Sequence, residues 1–240
     1  ELFRDAFVMW PPRRAIESGA RGIGARDIID AIDFVVRHWS IDDRRIYISG
    51  DGPTGAAAWR VAARYPDRFS ALRIAGSPAP PAPIENLSRV PLFSTHAEED
   101  SKVPWWLSRA PLSALSRIGG FAVAHDIIQK DGDGSKMRQE IGPGVHWERA
   151  QRPAMPIERI QFVATDASSS GGYWASVLEW HDGAEPARWL ARCSRDNGLF
   201  LDAKNVAVLR IDLSRAPLDL QRPIRITVNG RRQGIADPPF

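Results

Sequence analysis

The stretch 45–65 constrains this chain more than any other. Arg45-Ile46-Tyr47-Ile48-Ser49 reads as a β-branched strand, Gly50-Asp51-Gly52-Pro53-Thr54-Gly55 as a tight turn, and Gly55 to Tyr65 as an alanine-rich helix stopped by Pro66-Asp67. A strand that bends sharply into a helix of small residues belongs to a parallel sheet, because the small side chains let helix and sheet backbones come close.

The residues around it repeat the pattern. Apolar positions at 28, 29, 32, 35, 36 and 39 predict an amphipathic helix over Asp27–Trp39. Ala6–Trp10, Ala71–Ala75, Pro91–His96 and Phe121–Ile128 read as further strands, and Trp105–Ile118 as a helix. Alternating strands and helices predict βαβ units with helices on both faces of the sheet. Beyond the prolines at 153 and 156 the rhythm changes. Short strands recur at Ile157–Ala164, Tyr173–Trp180, Ala187–Cys193, Leu199–Asp202, Val206–Asp212 and Ile224–Val228, separated by Asp182-Gly183, Asn197-Gly198 and Asn229-Gly230. The expected organisation is an α/β unit over 1–152 and a small all-β, sandwich-like unit over 153–240.

Composition excludes little and agrees with a folded chain. At 240 residues, 43% apolar and 25% charged, it is long enough for a large core. The net charge is +3, with arginines scattered and no basic block interleaved with aromatics, so no nucleic-acid partner is expected. Cys193 is the only cysteine, which excludes an internal disulfide and a cysteine zinc cluster. No apolar run approaches the roughly 20 residues that span a bilayer, and Glu1-Leu2-Phe3-Arg4-Asp5 does not read as a signal peptide. The compartment stays open.

A strand running through a glycine turn into a helix is the geometry of a nucleophile elbow, where a reactive oxygen sits at a helix N-terminus. Here the sequence resembles the prolyl-oligopeptidase-like and esterase-like branch of the α/β-hydrolases. Asp27-Ile28-Ile29-Asp30-Ala31-Ile32-Asp33-Phe34 is similar to the helix before the elbow, and Ile41 to Gly50 to its "I-D-x-x-R-I-Y-I-x-G" strand. Arg64-Tyr65-Pro66-Asp67-Arg68-Phe69 matches the turn that follows. The resemblance covers about residues 5–150 and is most specific, without gaps, over 27–75. It implies a partial α/β-hydrolase in which the N-terminal strands and the loop with one oxyanion donor, which would precede the first recognisable strand, are missing.

Laid over G-x-S-x-G-G, Gly50 to Gly55 put Gly52 where the nucleophilic serine stands. Without an Oγ no general base has a proton to take, and the acyl-enzyme route is closed. A one-residue slip would offer Asp51 as a nucleophile, but it spoils the flanking match. Ser49, at the strand end, should face away from the elbow. The resemblance also places Asp100, in His96-Ala97-Glu98-Glu99-Asp100-Ser101-Lys102-Val103-Pro104, as the orienting acid. It places His146, in the glycine-rich loop Gly142-Pro143-Gly144-Val145-His146-Trp147, as the base. The implied reading is a serine-hydrolase relative, of peptidase or carboxylesterase type, with an impaired site, no cofactor and no metal. Its partner would be a small ester, a peptide or a glycan. Open beside it stand a non-catalytic binding protein on the same scaffold and a hydrolase using Asp51.

Weaker features read as structure. Gly19, Gly22 and Gly24 lack phosphate-loop spacing and predict a plain loop. Asp131-Gly132-Asp133-Gly134 lacks the later calcium ligands and predicts a hairpin turn. Trp105 and Trp106 would line a pocket mouth or simply pack. The 157–240 unit resembles an accessory domain of some bacterial hydrolases through Tyr173-Trp174, Asn205–Leu209 and Pro223–Gly230. Trp174 and Trp180 are expected in its core rather than stacked on sugar.

Overall fold

The alternating pattern folds as a parallel sheet. In the computed structural model, which describes residues 5–11, 14–15, 18–118, 123–128, 141–153, 155–166 and 169–236, the chain divides into Glu1–Pro153 and Ala154–Phe240. In the first unit, α1 (Ile23–His38), β1 (Tyr47–Asp51), α2 (Pro53–Arg64), β2 (Ala71–Ala75), β3 (Leu92–Ala97), α3 (Trp106–Ile118), β4 (Val123–Ile128) and α4 (Ile141–Ala150) follow in order. The strands lie side by side in the order β1-β2-β3-β4, every pair parallel. All four therefore end at one edge, where the connections to the next element begin.

Pleating divides the residues of this sheet between two faces. Ile48, Leu72, Ile74 and Leu92 turn to one face and pack with Ile28, Ile29 and Ile32 of α1, Trp59, Val61 and Ala62 of α2, and Leu112 and Leu115 of α3. Trp59 is fully buried there. The opposite face carries Tyr47, Arg73 and Phe93 and is packed by α4. A Cβ on Gly144 of α4 would stand 3.0 Å from Arg73 Cδ and 3.2 Å from Phe93 Cε1, and the Trp147 and Phe93 ring centroids are 5.4 Å apart. Helices therefore cover both faces.

The second unit is all β. Antiparallel β10 (Val208–Ile211), β7 (Ala175–Glu179) and β6 (Gly171–Gly172) form one sheet. The other runs β12 (Arg231–Ala236), β11 (Ile224–Val228), β9 (Gly198–Lys204), β8 (Ala187–Ser194) and β5 (Arg159–Ala164), with β11 parallel to β9. Phe162, Trp189, Trp174, Val177 and Ile224 share its core. Trp174 is buried, its Nε1 donating to Ile157 O at 2.8 Å. That removes it from any sugar-stacking role.

Several elements depart from the sequence reading. Ala6–Trp10 is not a strand, and Phe7, Val8 and Trp10 are 54%, 51% and 85% exposed. An apolar run becomes a strand only where a neighbour supplies its hydrogen bonds, and no described strand pairs with the outer edge of β1. Arg45 closes a 3₁₀ turn, Asp43–Arg45, whose Asp42 carboxylate accepts the Arg44 N–H at 3.0 Å, so β1 begins two residues later than expected. The stretch Gly142–Gly144 lies within α4 rather than in a loop. Asn229-Gly230, both at positive φ, turn the chain into the unforeseen strand β12. Gly22 caps α1 at φ 49°, and Gly24 lies inside that helix, where a Cβ would meet Ser18 Oγ and Ala15 Cα. The segment 131–134 lies outside the described residues.

Candidate functional site

The bend after β1 is built by three glycines under different constraints. A Cβ on Gly50 would stand 2.4 Å from Thr54 O, and one on Gly55 would stand 2.7 Å from Ser77 Cβ and 2.8 Å from Gly50 O. Those two glycines let the strand end and the first turn of α2 touch. Gly52 differs. It caps α2 at φ 51°, ψ −124°, a conformation that L side chains rarely adopt, and a Cβ there would meet nothing within 4 Å. The bend is locked by its own polar groups. Thr54 Oγ1 donates to Asp51 O (2.8 Å) and accepts the Asp51 N–H (2.9 Å), while Gly52 N–H donates to Ala75 O (2.8 Å).

Position 52 is thus an open, strained point at the C-terminal edge of the sheet, aimed along the N-terminus of α2. Its side chain is a single hydrogen. Pro53 stands at the first helical position and has no N–H to donate. The sequence shows this residue plainly; only its place in the bend gives it chemical meaning.

Asp100 follows β3, on the same sheet edge as Gly52. Its Oδ1 accepts the N–H groups of Lys102 (2.8 Å) and Val103 (2.9 Å), and its Oδ2 lies 3.7 Å from His96 Nε2. His96 is completely buried. Its Nε2 faces Val103 O at 2.6 Å, so that nitrogen carries a hydrogen, and Nδ1 lies 3.1 Å from Ser108 Oγ. Ser108, also buried, donates to Trp105 O at 2.8 Å. The imidazole beside Asp100 is therefore that of His96, a residue the sequence reading passed over. Its signal was a histidine on an apolar strand, four residues before the acid. His146 is exposed at the sixth position of α4, a helix that runs back from the sheet edge towards the start of β1, where Tyr47 Oη donates to Arg149 O (3.2 Å) and Gln151 O (3.3 Å). Gly52 and Asp100 share one edge; His146 sits part-way down the helix, on its solvent side. Asp51 is exposed at the end of β1, its backbone held by Thr54.

A buried ion pair lies under α4. Arg73 Nε reaches Glu148 Oε2 at 3.4 Å, with the side chains 11% and 7% exposed, and Glu148 Oε1 has no hydrogen-bond partner. Burial pushes the Glu148 carboxyl up to about 7, and Arg73 pulls the other way without offsetting it. The signal was an arginine in the otherwise apolar strand Ala71–Ala75.

Four parallel strands in sequential order, with a glycine bend leading from the first into a helix N-terminus and an acid loop after the third, are the arrangement expected of an α/β-hydrolase fold. The class follows from the strand order and the bend. Among solved structures the chain is similar to a thermostable esterase (26% identity over 52% of this chain and 32% of that one, TM-score 0.44). It is also similar to SOBER1 of Arabidopsis thaliana (16%, 52% and 63%, 0.45) and to an acylaminoacyl peptidase of Pyrococcus horikoshii (16%, 56% and 29%, 0.44). The chain thus spans from under a third to under two thirds of the length of these structures. No protein-family model matches it, and no curated sequence matches it significantly.

Proposed function

We propose that this chain carries the elbow half of a serine-hydrolase scaffold that has lost acyl transfer and keeps the site for binding an ester, a peptide or a glycan. One observation supports the reading above all. At the bend both groups that would touch a reacting carbonyl are gone together, the hydroxyl at Gly52 and the N–H at Pro53. A serine lost alone would leave oxyanion stabilisation and slow residual chemistry; losing as well the N–H of the residue after it, one of two oxyanion donors in such a bend, weakens that remainder. In this reading neither Asp100, whose neighbouring imidazole is that of His96, nor His146, on the solvent side of α4, has a serine proton to transfer.

The test is hydrolysis of p-nitrophenyl acetate by the parent chain, Gly52→Ser and Gly52→Ser/Pro53→Ala. The parent should run at the buffer rate. A serine side chain at position 52 fits the open space, and restoring the N–H beside it should raise the rate above that of the single variant by about 10²-fold, the worth of one oxyanion donor. Turnover by the parent that disappears in Asp51→Ala would overturn the proposal in favour of an aspartate nucleophile.

A further inference from the structure

α4 is held on the sheet by little apolar surface. Gly144 and Val145 are buried, the Trp147 ring meets Phe93 of β3, and Tyr47 Oη of β1 ties down the carbonyls of Arg149 and Gln151. On the opposite face α2 alone buries seven residues. Elements held by few buried contacts open more readily than the domain that carries them. Into this light contact the chain sets a charge pair.

The pair is poorly made. Arg73 bonds Glu148 through Nε alone, at 3.4 Å, and Glu148 Oε1 has no partner. A buried ion pair offsets its lost hydration only where the fit is close and the remaining lone pairs are satisfied. Neither condition holds. Among the described residues the elements packed against α4 are β1, β2 and β3. β2 brings Arg73, and β3 brings the uncharged Phe93. β1 brings the Tyr47 hydroxyl, which is occupied by the two carbonyls and by the guanidinium of Arg152. On α4 itself Arg149 follows Glu148, and His146 faces solvent.

The carboxyl that suits a dry place with an empty oxygen is the protonated one. We propose that α4 is a proton-controlled cover, seated on the sheet while Glu148 keeps its proton and lifted, with the rest of the unit still folded, when Glu148 gives that proton to water. Lifting hydrates the carboxylate and the Arg73 guanidinium and uncovers Phe93. The sheet and α1–α3 stay joined through the cluster around Trp59. Burial pushes the seated Glu148 carboxyl up to about 7, with Arg73 pulling the other way, against an ordinary 4.5 once water reaches it. The lifted helix therefore releases the proton first. Its share grows as pH rises between those two values, by about 300-fold in all, and levels off above about 7.

Hydrogen exchange of the full chain in low urea tests the proposal, independently of any chemistry at Gly52. The protection of residues 145–150 should fall by about 300-fold across the window. At every pH it should lie below that of α2 and depend less on urea, because lifting one helix exposes less surface than unfolding the unit. Glu148→Gln keeps the shape without the titration and should hold the protection of α4 level. If that variant melts below the parent, Arg73→Met/Glu148→Leu replaces the pair with apolar side chains and should also remove the response. Constant protection of α4 in the parent would overturn the proposal. So would one protection level and one urea slope shared by α4 and α2, or a pH response that survives in either variant.

Discussion

The two faces of the parallel sheet obey different physics. One is closed by α1, α2 and α3 over Leu72, Ile74, Leu92 and a fully buried Trp59, and any apolar set of similar volume would fill it. The other is covered, among the described residues, by α4 and holds Arg73, Glu148 and the hydroxyl of Tyr47, each tied to a specific partner. The first face supplies stability through buried area. The second holds a charge pair whose burial costs stability and whose value changes with pH. The bend at Gly52 sits between them, where β1 hands over to α2.

The largest effect should come from the closed face. Trp59→Ala removes a fully buried indole and should cost about 3–5 kcal/mol, read from the shift of the denaturation midpoint. A loss below about 1 kcal/mol would mean that this face is not the core of the unit. The opposite face should report itself through pH. With the Glu148 carboxyl at about 7 in the folded chain against an ordinary 4.5, the unfolded chain ionises first, and stability falls as pH rises between those values. The fall is of order 3 kcal/mol and is complete above about 7. Glu148→Gln should flatten that part of the profile; urea titrations across the window would show it, and an unchanged slope would rule out the buried carboxyl as its source. The smallest effects lie in the bend and separate its glycines. Gly50→Ala drives a methyl into the Thr54 carbonyl and should cost about 2–3 kcal/mol, whereas Gly52→Ala meets open space and should cost only about 1 kcal/mol of backbone strain. The reverse order would mean that the strand–helix contact does not depend on Gly50.

Much of the fold was legible because it is written in local periodicity. The helices over 27–39 and 55–65, the strand 71–75 and the β rhythm after 157 all emerge at or within a few residues of where the pattern puts them. Ala6–Trp10 was misread because a strand is made by its neighbours, and periodicity says nothing of whether a neighbour is there. The Gly142–Gly144 stretch was misread because two glycines and a proline favour a loop locally, while packing of Gly144 against Arg73 and Phe93 favours a helix whose small residue approaches the sheet. At the site, Gly52 was visible as a glycine in a frame that resembles G-x-S-x-G-G. His96 was not, because nothing local marks which side chain a buried imidazole will face.

The sequence by itself determined the alternation of elements, the sharp bend at 50–55, and the absence of an oxygen at its tip, since these depend on residues within a few positions of one another. Only the tertiary structure decided that Glu148 meets Arg73 in a dry place and that Arg159, Arg192 and Arg232 form one row across the larger sheet of the second unit. Each of these joins residues on different elements. Their meeting is fixed by strand order and register, which arise from the burial of the whole core rather than from any short stretch of chain.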